Sequence, residues 1–266
     1  MLTNTDTTTT ATPKKIIILW DLHGVLFIKS VPAILKTLWH IHQKTRCVFE
    51  LIHALFCTKA FFKLCKLIYN FHGVSQAYID CFLPYKHLHT QLMLVICRLY
   101  TPQPDTRAIL KKLHTYNPHT LSSTTNTHTT TNFDTKTPII THYILSNIGP
   151  DALLLMQKLY PEYFVYFTSQ TNLINPPGTP EDLWVWKPQA HAYTQALEKV
   201  THVSTPAPHI PQTFLPEQQA FMIFVDDKKK NIQAAQKYQK NILTSIQFYN
   251  AQQTERAILN LLKNGS

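Results

Sequence analysis

Residues 16–19 read Ile-Ile-Ile-Leu, followed by Trp20 and then by Asp21. An unbroken branched aliphatic run with no polar alternation suits a strand buried on both faces, and such strands belong in parallel sheets covered by helices. Similar apolar runs recur at 139–145, 163–167, 221–225 and 241–248, and helical patterns occupy 151–160, 188–200, 231–239 and 252–263. Strands alternating with helices predict right-handed crossovers and an α/β fold: a Rossmann-like three-layer sandwich with a central parallel sheet.

Residues 30–102 break that rhythm. Val31, Ile34, Leu35, Leu38 and Ile41, and later Leu92, Leu94, Val95 and Leu99, follow helical spacing with no evident strand among them. This predicts an inserted α-helical cap at 30–102, set into a core built from 14–29 and 103–266. Residues 1–13 are Thr-rich and lack the basic start and apolar run of a signal peptide, so they read as a disordered tail of a cytoplasmic protein. Residues 119–137, mostly Thr, Ser, Asn and His, read as a mobile surface loop.

Charge is concentrated in the insertion. The chain carries 25 Lys and Arg against 15 Asp and Glu. Between residues 22 and 104 the only acids are Glu50 and Asp80, against nine basic residues. A basic segment suggests an anionic partner. Glu50, His53, Lys59, Lys63 and Lys66 interrupt the apolar stretch 47–71, so no transmembrane segment is expected. The cysteines Cys47, Cys57, Cys65, Cys81 and Cys97 contain no C-x-x-C pair and read as reduced, small apolar residues. With five glycines in the chain, a nucleotide-cradling loop is scarcely available. The basic residues lack the aromatic interleaving of a base-stacking surface, so nucleic acid ranks below small phosphate esters as a partner.

In open α/β sheets ligands sit beyond the carboxyl ends of the strands. Asp21 and His23 follow the first run, Ser146 and Asn147 the second and Asp226 and Asp227 the run at 221–225, while Lys187 stands just before a helix. A single Asp after a strand is often a helix cap, but capping does not explain the whole set. Its chemistry suits phosphoryl transfer through an aspartyl phosphate. Asp21 needs no deprotonation to act as nucleophile, provided its charge is shielded. Mg²⁺, a hard cation that takes oxygen ligands, would shield it. Ser146 and Lys187 would hold the phosphoryl oxygens, with Asn147 beside them. Adjacent acids cannot both face one point from an ideal strand, so one of Asp226 and Asp227 would bind the metal directly and the other through water or Lys187. Gly24 would relax the turn so that backbone N–H groups approach the phosphate.

The sequence resembles the haloacid dehalogenase (HAD) superfamily. IIILWDLHGVLF matches its first motif, YILSNIG the second, VWKPQAHAYTQAL the third and FMIFVDDKKKNIQAA the fourth, in order, over about residues 15–250. The resemblance implies Asp21 as nucleophile, Ser146 and Lys187 as phosphate binders, and a metal held by Asp21, the backbone carbonyl of His23, Asp226 and Asp227. It also implies the subgroup of the superfamily whose cap follows the first strand.

His23 departs from the pattern, because the phosphatases of the superfamily carry there an aspartic acid that serves as general acid and then base. Histidine can do either. The expectation is that it keeps the base half better, so that esters with good leaving groups turn over best. The reading is therefore Mg²⁺-dependent hydrolysis of a small phosphate monoester. The alternative is a catalytically impaired HAD-like protein that binds a phosphorylated ligand or a protein partner. Lys228, Lys229 and Lys230 follow the acid pair and either attract anionic substrate or form a solvated helix start. A basic and aromatic cap hints at a multiply anionic or nucleotide-like phosphate.

Overall fold

In the computed structural model, which describes residues 15–45, 49–50, 89–115, 139–179, 183, 185–202, 220–240 and 242–264, β1 (Lys15–Trp20) is the hub of a parallel sheet. It pairs with β4 (Ile139–Ile144) on one side and with β5 (Phe221–Asp226) on the other, and β6 (Leu243–Gln247) lies beyond β5. Alternate residues of a strand face opposite ways, and both faces of β1 are covered. Ile16, Ile18 and Trp20 join a core with Ile109, Leu110 and Leu113 of α3 (Pro104–Thr115), Leu153 and Met156 of α4 (Pro150–Leu159), and Ile258 of α8 (Ala251–Asn264). Ile17 and Leu19 join a second core with Tyr193 and Val200 of α6 (Ala190–His202) and Ile232 of α7 (Lys229–Gln239). This is the expected three-layer sandwich, and it explains why no polar residue interrupts 16–19.

Two expectations change. The apolar run at 163–167 is not a strand. Pro161 opens α5 (Pro161–Phe164), which buries Tyr163 and Phe164. Tyr163, Phe164 and Phe167 are spaced to lie on one face of a helical turn, and a short apolar run does not by itself distinguish a buried strand from such a turn. The sheet edge beside β4 is instead occupied by the next few residues, where Thr168 N–H donates to His142 O and Leu173 N–H to Ile144 O, each at 2.9 Å.

The insertion is also not helical throughout. β2 (Phe27–Lys29) pairs antiparallel with β3 (Tyr100–Pro102), so residues 100–102 are a strand. Between these strands, α1 (Val31–Thr45) and α2 (His89–Arg98) pack on one another, and their buried Ile41 and Val95 fit the periodicity seen in the sequence. Phe27, fully buried among the rings of Tyr160, Tyr163 and Phe164, pins the two-stranded unit to the core.

The tail at 1–13, the loop at 119–137, residues 51–88 and Cys47, Cys57, Cys65 and Cys81 lie outside the described residues. Cys97 is buried, as expected, and burial pushes its thiol up to about 12. No helix among the described residues is long and apolar enough to cross a membrane.

After β1 the chain passes to β4 and later returns to β5 on the far side of β1. The switch in direction therefore lies between β1 and β5, at whose carboxyl ends Asp21 and Asp226 stand.

Candidate active site

The parallel register sets Trp20 level with Ile144 and Val225, so the residues that follow these strands emerge together. Asp21 is buried, and the hydrogen bond and the ion pair described for its carboxylate reach one oxygen. Ser146 Oγ–H donates to Asp21 Oδ1 at 2.6 Å, and Lys187 Nζ lies 3.0 Å from the same atom. Lys187 Nζ also donates to Asp226 Oδ2 at 2.5 Å. One ammonium, itself 2% exposed, thus joins two carboxylates from different strands. Burial alone would push the lysine down, but Asp21 and Asp226 outweigh it and hold it above its ordinary value.

The paired acids are bonded very differently. Asp226 is fully buried, with each oxygen occupied. Lys228 N–H donates to Oδ1 at 2.8 Å, and Asn231 Nδ2 reaches Oδ1 at 3.1 Å and Oδ2 at 2.9 Å. Asp227 is half-buried, and its Oδ1 is enclosed without a hydrogen-bond partner. Burial raises the pKa of both carboxyls. Lys187 pulls back on Asp226, whereas Asp21 and Asp226 push Asp227 further up. Oxygens of Asp21, Asp226 and Asp227 lie within 4.8 Å of one another. Three crowded carboxylates, one with an orphaned oxygen, fit a hard divalent cation.

Gly24 relaxes the turn, as expected, and has a second purpose there. Leu22–Phe27 closes a tight turn in which Gly24 N–H is spent on Phe27 O at 2.7 Å. Its φ is +90°, and a Cβ there would lie 2.3 Å from Asp227 Oδ2. The missing side chain makes room for the carboxylate.

His23 is buried in the same turn, its ring centroid 4.2 Å from that of Tyr100 in β3. Burial, helped by Lys228, Lys187 and Lys29, pushes its imidazole down to about 3, so it is neutral at pH 7.

Asn147 is brought to the site, but its carboxamide grips the lysine backbone. Nδ2 donates to Lys187 O at 2.9 Å, and Lys187 N–H donates to Oδ1 at 2.8 Å. Two positioning residues escaped the sequence reading. Asn172 accepts from Ser146 N–H at 3.2 Å and donates to Ser146 O and Ile148 O, fixing the loop that presents Ser146. Its partners are 24 and 26 residues away, so no local signal marks it. Asn231, which braces Asp226, lies five residues after it, in the first turn of α7, a spacing that could have flagged it.

No sequence-family model matches the chain, and no curated protein sequence does either. Solved structures do. A predicted HAD-like family hydrolase from Porphyromonas gingivalis is similar at a TM-score of 0.50 and 14% identity, over 94% of this chain and 98% of that one. A HAD family enzyme from Bacteroides thetaiotaomicron is similar at a TM-score of 0.47 and 15% identity, over 89% of this chain and 94% of that one. The wild-type form of that enzyme in complex with magnesium and inorganic phosphate gives a TM-score of 0.45 at 13% identity, over 88% and 93%. At these identities the likeness is one of fold. The chain has the HAD-like fold, a result that rests on the Porphyromonas gingivalis structure.

Proposed function

We propose that the protein hydrolyses a small phosphate monoester in a Mg²⁺-dependent reaction through an aspartyl phosphate on Asp21. The observation that carries this reading is the convergence on one oxygen of Asp21: a hydroxyl at 2.6 Å and a buried ammonium at 3.0 Å, from residues 146 and 187 on separate loops. A merely structural aspartate at a strand end needs a cap, not this constellation.

A carboxylate oxygen of Asp21 forms a bond to phosphorus as the ester P–O bond breaks, and the leaving oxygen departs with the bonding pair as an alkoxide or phenolate that takes its proton from water. Water then attacks the acyl phosphate, the P–O bond to Asp21 breaks, and inorganic phosphate departs with the carboxylate restored. Ser146 and Lys187 orient the phosphoryl oxygens, and the lysine offsets the charge that develops on them. Asn147 fixes the backbone from which Lys187 reaches inward. The neutral imidazole of His23 supplies no imidazolium proton to the departing oxygen at pH 7, which favours substrates with good leaving groups.

Asp21, Asp227 and the backbone carbonyl of His23 would hold the Mg²⁺, with Asp226 behind them through Lys187. Such an ion, when bound, neutralises the crowded carboxylates and the phosphoryl charge. Helices α1 and α2 would belong to a cap of residues 30–102 that screens the site from water.

The test is steady-state hydrolysis of p-nitrophenyl phosphate with Mg²⁺ or with EDTA, by the wild type and by Asp21→Asn. Turnover should require Mg²⁺ and fall by roughly a thousandfold or more in the variant. Wild-type turnover no higher than that of Asp21→Asn would refute the reading. It would favour the ligand-binding alternative instead.

A further inference from the structure

Alternate residues of a strand share a face. Phe224 and Asp226 therefore leave β5 on the same side, and both are fully buried. Lys187 Nζ meets the two together. It donates to Asp226 Oδ2 at 2.5 Å and stands over the Phe224 ring, 5.1 Å from its centroid. The ring is itself fixed by Tyr193 of α6, which meets it in a T-shaped contact at 73° with centroids 5.7 Å apart. The Tyr193 hydroxyl donates to Asn231 O at 2.8 Å, and Asn231 Nδ2 donates to Asp226. Phe224, Lys187, Asp226, Asn231 and Tyr193 thus close a circuit in which each member touches the next.

Packing alone asks only for an apolar residue at position 224, and leucine would bury as well. An aromatic ring adds the negative charge of its face, which attracts a cation most strongly where water is excluded. Lys187 is in such a place, at 2% exposure. Its ammonium has three N–H donors, and the carboxylates of Asp226 and Asp21 draw on them at 2.5 and 3.0 Å. The ring attracts the same charge without demanding a directed hydrogen bond, so it can hold the ammonium while a donor stays available to a phosphoryl oxygen. We infer that Phe224 is a positioning residue for Lys187: the face of its ring fixes where the ammonium stands, and turnover depends on the electron density of that face. This rests on the hydrolysis proposed above, in which Lys187 meets the phosphoryl oxygens.

The experiment replaces Phe224 by leucine and by phenylalanines carrying one, two or three ring fluorines, introduced by nonsense suppression, and measures kcat/KM on p-nitrophenyl phosphate with Mg²⁺. Fluorine drains the ring face of electron density and changes its shape little. kcat/KM should fall stepwise, by about ten- to thirtyfold at the third fluorine, and by at least as much in Phe224→Leu. The same fluorinated series at Phe164, a buried ring with no cation over it among the described residues, should leave kcat/KM unchanged. A ring that only fills space predicts a level kcat/KM across the Phe224 series, with Phe224→Leu acting through the melting temperature alone. That pattern, or equal losses in the two series, would overturn the inference and leave the hydrolysis standing. A second readout does not depend on turnover. The ε-methylene protons of Lys187 should be shifted upfield by the ring current in the NMR spectrum of the wild type, and the shift should vanish in Phe224→Leu. A wild type without turnover would overturn the hydrolysis, and the shift would then decide the placement of the ammonium by itself: present, it upholds that placement, and absent, both proposals fall.

Discussion

Replacing Gly24 by alanine isolates the geometry of the acid cluster. A Cβ at this position would lie 2.3 Å from Asp227 Oδ2, 2.4 Å from Cγ and 3.0 Å from Oδ1. Rotating the carboxylate cannot clear it, because both oxygens and the carbon between them are in the way. Ordinary contact begins at about 3.4 Å, so the group must retreat by about 1 Å, and a misplacement of that size costs on the order of a hundredfold in rate. The positive φ adds roughly 1–2 kcal/mol of backbone strain, a fraction of the roughly 5–15 kcal/mol that holds a domain folded. Gly24→Ala should therefore stay folded, melt a few degrees lower, lose about a hundredfold in kcat/KM on p-nitrophenyl phosphate and need more Mg²⁺ to saturate. Gly178 supplies the control, because its φ is +85° but nothing lies within 4 Å of the Cβ it would gain. Gly178→Ala should show the strain in its melting temperature without the loss of turnover. Wild-type Mg²⁺ dependence and turnover in a folded Gly24→Ala protein would refute the assignment of Asp227 to the cation.

Asn147→Ala removes both hydrogen bonds that hold the Lys187 backbone and should lower kcat/KM about ten- to a hundredfold, with a smaller effect in Asn147→Asp, which keeps the acceptor; equal rates in all three proteins would count against the positioning role. His142, buried in β4, accepts a hydrogen bond from Trp20 Nε1–H at Nδ1 at 3.0 Å, and burial, with His114 adding to it, pushes it down to about 3. Its folded-state pKa is depressed, so the stability it contributes is full above about pH 6.5 and is lost as pH falls and the unfolded chain takes up the proton. Between pH 7.5 and 5.5 the wild type should lose on the order of 1 kcal/mol more than His142→Gln in urea unfolding, and parallel losses would refute the buried neutral imidazole.

The strands that carry the chemistry were the most legible part of the sequence, for a physical reason. A strand buried on both faces admits no polar residue, so its apolar run is continuous and its end is marked by the first charge. β1 ending at Asp21 and β5 ending at Asp226 both announce themselves this way. The 163–167 segment presents the same apolar density with no such marker, and Pro161 together with the packing of Tyr163 and Phe164 made it a helical turn. β2 and β3 were illegible because each spans three residues and each finds its partner across some seventy positions of chain. That unit matters beyond its size, since it lays Tyr100 on His23. Within the site, the ionisable residues could be named in advance but the asparagines that hold them could not. Asn172 bonds backbone groups, which any loop carboxamide can do.

The unequal bonding of Asp226 and Asp227 follows from their being neighbours. Successive side chains at a strand end point to opposite faces, so only one of the two can turn toward Lys187 and Asn231, and the other must cross toward Gly24. The first is satisfied at every lone pair the structure describes, and recruiting it elsewhere would leave Lys187, a charge buried to 2% exposure, short of a partner. Breaking a buried ion pair from one side costs several kcal/mol, so Asp226 stays in place whatever binds. The second has an enclosed oxygen with nothing to bond and two like charges close by. Its cheapest relief is a cation, and Gly24 keeps open the space in which it waits. A fixed acid that orients the lysine beside an unsatisfied acid that would draw a cation would be a division of labour that a single carboxylate at this position could not supply.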